Sequence, residues 1–199
     1  MSRASARARS VRRRRLVALL LALGALVAVI GTLMPTVDKA VKEVTLPLRH
    51  EDIIRQQSAD KGVDASLIAA VIYAESRFDA NAESSAGALG LMQITPDTAR
   101  EIARKSGGVA FEQGDLATPQ INISYGSYYL KWLLENYGGN ETLAVAAYNA
   151  GTGNVDKWIA RDPGMKPSEI PFPETRAYVD RVFKARQSYR TEYRRELGL

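Results

Sequence analysis

From Leu46 onward, helix start and stop signals punctuate the chain, and this constrains its fold more than any other feature. Thr95-Pro96-Asp97 combines a cap, a first-turn proline and an acid suited to the positive end of a helix dipole. It predicts a helix that ends at Gly107-Gly108. Thr118-Pro119 repeats the device and opens an apolar helix through Tyr125, Tyr129, Trp132 and Leu133 to Gly138. Pro47 predicts the start of a helix that stops at Gly62, Asp64 caps "ASLIAAVIYAES", and Asn140 caps "ETLAVAAYNAG". A short helix around Val155–Ile159 and a long amphipathic one from Pro173 complete the series. No run of alternating β-branched residues calls for a large sheet. The expectation is one mainly α domain over residues 46–199.

The N-terminal part has a different composition. Residues 1–15 hold seven arginines and no acid, and Leu16 to Met34 is 19 residues without a charge. At about 1.5 Å per residue that stretch can cross a hydrocarbon core of roughly 30 Å. The arginines predict a cytoplasmic tail at 1–15, a transmembrane signal-anchor at 16–34 and a polar linker at 35–45. The rest of the chain then lies outside the cytoplasm, facing the periplasm or cell wall. A cleaved signal peptide shares the basic-then-apolar pattern, but its apolar core usually runs to about 7–15 residues. A twin-arginine export signal within "SVRRRRL" is a further alternative.

This split also disposes of a nucleic-acid reading. The net charge is +5, but seven of the 27 basic residues sit in the tail, leaving 20 against 22 acids. The body has no basic stripe with interleaved aromatics. With no cysteine, thiolate metal sites, cysteine nucleophiles, disulfides and a lipidated cysteine are excluded, and the single His50 excludes a zinc site needing two histidines. No metal and no cofactor are expected.

One carboxylate stands out. Leu67, Ile68, Val71 and Ile72 make an apolar stripe at helical period, and the next position on it is Glu75. An ionised carboxylate is costly to bury unless paired. Desolvation and the negative end of a helix dipole both raise a carboxyl pKa, as general-acid cleavage of a glycosidic bond requires. Downstream, "GALGLMQITP" carries glycines that let backbone approach a ligand, with Gln93 offering a donor and an acceptor, or else forms a simple tight turn. "AVAAYNAGTGNV" places Tyr148 and Asn149 at a helix end, where Asn-Ala-Gly is also an ordinary helix stop. "PFPETRAYV" sets Glu174 and Tyr178 at a helix start.

Each signal is weak alone. The blocks "AESRFDANAESSAGALGLMQITP", "NISYGSYYLKWLL", "AVAAYNAGTGNV" and "IPFPETRAYV", in this order, closely resemble the soluble lytic transglycosylase (SLT) domain of glycoside hydrolase family 23, a goose-type lysozyme-like fold. The resemblance spans roughly Leu46 to Tyr189. It implies Glu75 as the catalytic acid, with Ser84 beside it in the substrate groove. Met92 and Gln93 would line the part that binds the N-acetyl group. Tyr148, Asn149, Glu174 and Tyr178 match further groove positions. Thr95 departs from the pattern, standing where some relatives have methionine.

The reaction implied is non-hydrolytic cleavage of the MurNAc-β-1,4-GlcNAc bond of peptidoglycan. A single glutamate acts as acid and then base, leaving 1,6-anhydro-MurNAc ends. Glycosidases usually use two carboxylates. Asp79 and Glu83 are close in sequence, yet the resemblance assigns neither that role. The rival expectations are a hydrolytic muramidase on the same fold and a noncatalytic peptidoglycan-binding protein.

Overall fold

The computed structural model describes residues 23, 24, 27, 29–34, 36, 37, 39–106 and 113–199. The chain divides into two compact units, Met1–Thr45 and Leu46–Leu199. The expected membrane span at 16–34 lies largely outside the described residues. Among those described, no helix is long and apolar enough to cross a membrane. The stretch expected to be a polar linker is helical through Thr45 wherever it is described. Val37, Val41 and Val44 recur there at helical spacing and are exposed.

The second unit is built of seven α-helices among its described residues: α1 (Glu51–Lys61), α2 (Ala65–Ser76), α3 (Pro96–Ser106), α4 (Pro119–Asn136), α5 (Glu141–Ala150), α6 (Thr152–Arg161) and α7 (Pro173–Glu192). Short 3-10 turns at Gln113–Ala117 and Pro167–Glu169 join them. The only β pairing among the described residues is two isolated antiparallel bridges, Glu83 to Leu89 and Leu89 to Ile94.

Helix α2 is the centre of the domain. Every residue from Ala65 to Ile72 is buried, so the predicted apolar stripe is in fact a helix enclosed on all sides. It packs most extensively on α7, and also on α1; α5 contacts α4, α6 and α7. Its start is anchored by Asp64. One carboxylate oxygen accepts the Ser66 amide at 2.7 Å. The other accepts Arg186 at 3.0 Å and Arg190 at 3.2 Å, both from α7. Arg186 also reaches Glu141 at the start of α5, at 2.5 Å. Burial pushes the Asp64 carboxyl up, but the Ser66 and Arg186 hydrogen bonds outweigh it and hold the pKa below the usual value.

The start of α1 differs from the sequence expectation. Pro47 does not open the helix, because His50 takes a left-handed conformation (φ 59°) and the helix begins only at Glu51. Residues 47–50 instead form an irregular strap. The hydroxyls of Tyr189 and Tyr193 donate to the carbonyls of Pro47 and Leu46, at 2.6 and 2.8 Å. The α6 helix is also longer than expected, because Gly151 (φ 81°) ends α5 and leads straight into the next helix. Thr95 caps α3 through its hydroxyl, which accepts the Thr98 amide at 3.1 Å, whereas Thr118 makes no such bond.

At Gly90 the backbone is left-handed (φ +72°), and a Cβ would lie 2.4 Å from Asn122 Nδ2 and 2.8 Å from the Leu116 carbonyl oxygen. Gly90→Ala is therefore expected to destabilise the domain by at least about 2 kcal/mol, read from chemical denaturation.

Candidate active site

Glu75 is the penultimate residue of α2, where the buried helix surfaces. The chain then reverses through two consecutive left-handed residues, Arg77 (φ 52°) and Phe78 (φ 66°). Left-handed backbone is unfavourable for a bulky aromatic, and here the Phe78 side chain is buried and packs near Tyr189, with ring centroids 6.1 Å apart. The reversal leaves Glu75 half-buried and facing α7. The Tyr178 hydroxyl donates to Glu75 Oε1 at 2.6 Å across 103 residues of sequence.

Burial pushes the Glu75 carboxyl from 4.5 to about 7, against the opposing effects of the Tyr178 hydrogen bond and the Arg181 charge. Near neutral pH this group holds a proton and can also give it up, as a general acid that later acts as a base must. Burial, then the charge of Glu75, also pushes the phenols of Tyr148 and Tyr178 well above 10, so both remain neutral donors.

The loop from Asp79 to Ile94 is braced from within and from outside. Ser84 pairs with Ala88: the Ala88 amide donates to Ser84 Oγ at 3.0 Å and the Ser84 amide to the Ala88 carbonyl at 3.0 Å. Gln93 is itself left-handed (φ 48°), and its Nε2 donates to the carbonyls of Ala82 (3.0 Å) and Gly90 (2.9 Å). Both of its N–H groups are thus engaged with backbone, so what the amide can offer a ligand is its oxygen. The Met92 side chain is fully buried, so close to Gly126 that a Cβ there would meet its sulfur at 2.4 Å. The Met92 carbonyl accepts the Tyr148 hydroxyl at 2.9 Å.

Asn149 is exposed, and its Oδ1 accepts the Thr175 hydroxyl at 2.8 Å, tying the end of α5 to the start of α7. Glu174 is exposed in the first turn of α7, a placement its helix dipole explains. Asp79 and Glu83 are both exposed. Asp79 accepts the Asn81 amide at 2.9 Å in a local turn. The site therefore couples Glu75 with Tyr178 directly and links Met92 to Tyr148. Ser84 and Gln93 hold the loop, and Asn149 and Glu174 stand at the α5–α7 edge.

The residue that organises this loop is not among the candidate site residues expected from the sequence. Asn122 on α4 is buried, and its Oδ1 accepts the Met92 amide at 2.8 Å. Its Nδ2 donates to the carbonyls of Leu89 (2.8 Å) and Leu116 (2.9 Å). An asparagine among apolar residues on a helix is the available signal, since a buried amide must be fully hydrogen-bonded. Ser76 adds a direct link from α2, its hydroxyl donating to the Leu91 carbonyl at 2.8 Å.

A family model described as "Transglycosylase SLT domain" matches residues 52–170, more than half of the chain. The chain belongs to the transglycosylase SLT family. It is 33% identical over 154 residues to the soluble lytic murein transglycosylase of Escherichia coli (strain K12), covering 74% of this chain and 24% of that protein. It is 36% identical over 167 residues to membrane-bound lytic murein transglycosylase C of Glaesserella parasuis serovar 5 (strain SH0165), covering 71% and 46%. Among solved structures, an inactive mutant of lytic transglycosylase Slt from Pseudomonas aeruginosa superposes with a TM-score of 0.71 at 33% identity, over 77% of this chain and 26% of that one. The chain thus spans about a quarter of the length of the soluble relatives it matches. The mainly helical, lysozyme-like architecture of SLT domains expected from the sequence is the one observed.

Within this SLT domain the Tyr178 contact makes a testable claim. A hydrogen bond to the ionised carboxylate favours ionisation, so its loss must raise the pKa. Tyr178→Phe is expected to raise the Glu75 pKa by about one unit. The check is a carboxyl carbon NMR titration of the variant against wild type.

Proposed function

We propose that this chain is a peptidoglycan lytic transglycosylase that uses Glu75 as its sole acid and base. The observation that carries the reading is the half-buried Glu75, hydrogen-bonded to Tyr178 and held at a pKa of about 7. Membership of the SLT family supports it, as do relatives whose own names are those of lytic murein transglycosylases.

In this mechanism protonated Glu75 donates to the glycosidic oxygen leaving the anomeric carbon of N-acetylmuramic acid. The neighbouring acetamido group of the same sugar stabilises the developing positive charge. Glu75, now a carboxylate, accepts the proton of the sugar's 6-hydroxyl as that oxygen attacks the anomeric carbon and closes the anhydro ring. No water is consumed, and Glu75 returns to its starting protonation state. Tyr178 steadies the carboxylate between the two steps. The loop carrying Ser84 and Gln93, with Tyr148, Asn149 and Glu174, forms the wall of the glycan groove, and the buried Met92 side chain backs that wall from the interior rather than lining it.

Residues 46–199 are the catalytic domain in this reading, and 16–34 anchor it to the membrane with the domain on the extracytoplasmic side. The membrane-bound relatives support an envelope location. Digestion of purified sacculi followed by mass spectrometry of the muropeptides tests the reaction. Anhydro-muropeptides, lighter by one water than reducing ones, are the expected product. Reducing ends alone would make the protein a muramidase, and binding without any product would make it a noncatalytic module.

A further inference from the structure

Arg181 lies one helical turn beyond Tyr178 on α7, with its side chain exposed. Its guanidinium carbon is 5.5 Å from the centroid of the Tyr178 ring, within reach of a cation–π contact. That same ring carries the hydroxyl that donates to Glu75 at 2.6 Å. A fixed positive charge, a polarisable ring and the reactive carboxyl therefore stand in series, and only the last is needed for bond cleavage.

We propose that Arg181 is a positioning residue that sets the pH range of the enzyme, acting on Glu75 through its charge and through its seat on the Tyr178 ring. The inference rests on the assignment of Glu75 as the acid and base, and it goes beyond that assignment by giving a role to a residue that touches neither substrate nor the reacting atoms.

The groups around Glu75 support this. Helix α7 contributes Tyr178 and Arg181, and α5 contributes the neutral phenol of Tyr148, whose own pKa feels the Glu75 charge. Of the groups nearer in sequence, Arg77 follows α2 and turns onto the Tyr73 ring, 5.8 Å from its centroid. Arg181 is the formal charge that acts on the Glu75 carboxyl, and it acts downward, against burial. A charge of this kind keeps a desolvated acid from being protonated so firmly that it cannot leave as a carboxylate and serve as the base in the second step. Being exposed, it is also open to screening by salt.

The test compares wild type, Arg181→Gln and Arg181→Lys in the full chain. The readouts are kcat/KM for sacculus digestion against pH at low salt, and the Glu75 titration by carboxyl carbon NMR. Loss of the positive charge is expected to raise the Glu75 pKa and move the alkaline limb of the profile upward by roughly 0.3–1 pH unit. Arg181→Lys should keep the wild-type limb, and raising the salt should shrink the difference between Gln and wild type. A limb that stays in place, or one that moves equally in both variants, would overturn the proposal. So would a loss of rate at every pH with the Glu75 titration unmoved, the signature of a substrate contact. If instead Glu75→Gln kept its activity, the assignment of the acid itself would fall, and the NMR titration would still report whether Arg181 governs the carboxyl.

Discussion

Glu75→Gln is expected to abolish release of muropeptides while leaving the domain folded. Loss of a general acid typically costs ~10²–10⁴ in rate, and the loss of a group that is both acid and base lies at or beyond the upper end. The amide keeps the shape of the side chain and can still accept the Tyr178 hydroxyl, so thermal melting should remain cooperative. Turnover of the purified variant above about a tenth of the wild-type rate would remove Glu75 from the mechanism.

The same substitution makes a second, independent statement about stability. The carboxyl is raised from 4.5 to about 7 in the folded protein, because burial penalises its charged form. The folded state therefore holds the proton more tightly than the unfolded chain. The corresponding stability is fully present below about pH 4.5 and is lost as the pH rises through 7. At about 1.4 kcal/mol per unit, roughly 3 kcal/mol is at stake above pH 8. The glutamine variant has no such loss, so its stability relative to wild type should rise between pH 4.5 and pH 8. Denaturant titrations at the two pH values measure the difference. A gap that stays constant would mean the carboxyl is not desolvated.

The second large effect is expected at Asn122. Asn122→Ala removes three hydrogen bonds at once and leaves the Met92 amide and the Leu89 and Leu116 carbonyls without that partner in the interior. Each abandoned buried group costs about 1–3 kcal/mol, partly offset where water enters the space left behind. A loss of about 3–5 kcal/mol is expected in chemical denaturation. Activity should fall more steeply than folding alone explains, because Leu89 to Ile94 carries Gln93 itself and the carbonyls of Met92 and Gly90 that accept Tyr148 and the Gln93 side chain. Variants at neighbouring exposed positions such as Gln120 should stay within about 0.5 kcal/mol of wild type. If Asn122→Ala behaves like them, the loop draws its order from elsewhere, Ser76 being the next candidate.

The local chemistry of the chain determined a good deal. Pro96, Pro119 and Pro173 open helices because a proline in the first turn forfeits no hydrogen bond, and Asp64 and Asn140 cap because their side chains reach amides two or three residues on. The apolar run from Leu67 to Ile72 ending at Glu75 was likewise readable, since helical period alone places the acid on the buried face. Tertiary structure decided everything that depends on distant partners. It made His50 left-handed, because Tyr189 and Tyr193 hold the strap before it. Gln93 came to brace the loop, and Asn122 to hold it across 30 residues of sequence. It also brought Tyr178, with Arg181 on its ring, to Glu75 from 103 residues away. Propensity and capping act over three or four residues, whereas desolvation and the pairing of an acid depend on which surfaces the packed helices press together. The sequence could therefore mark Glu75 as unusual, but its proton affinity is set by burial in the packed domain, opposed by the Tyr178 bond and the Arg181 charge that α7 brings to it.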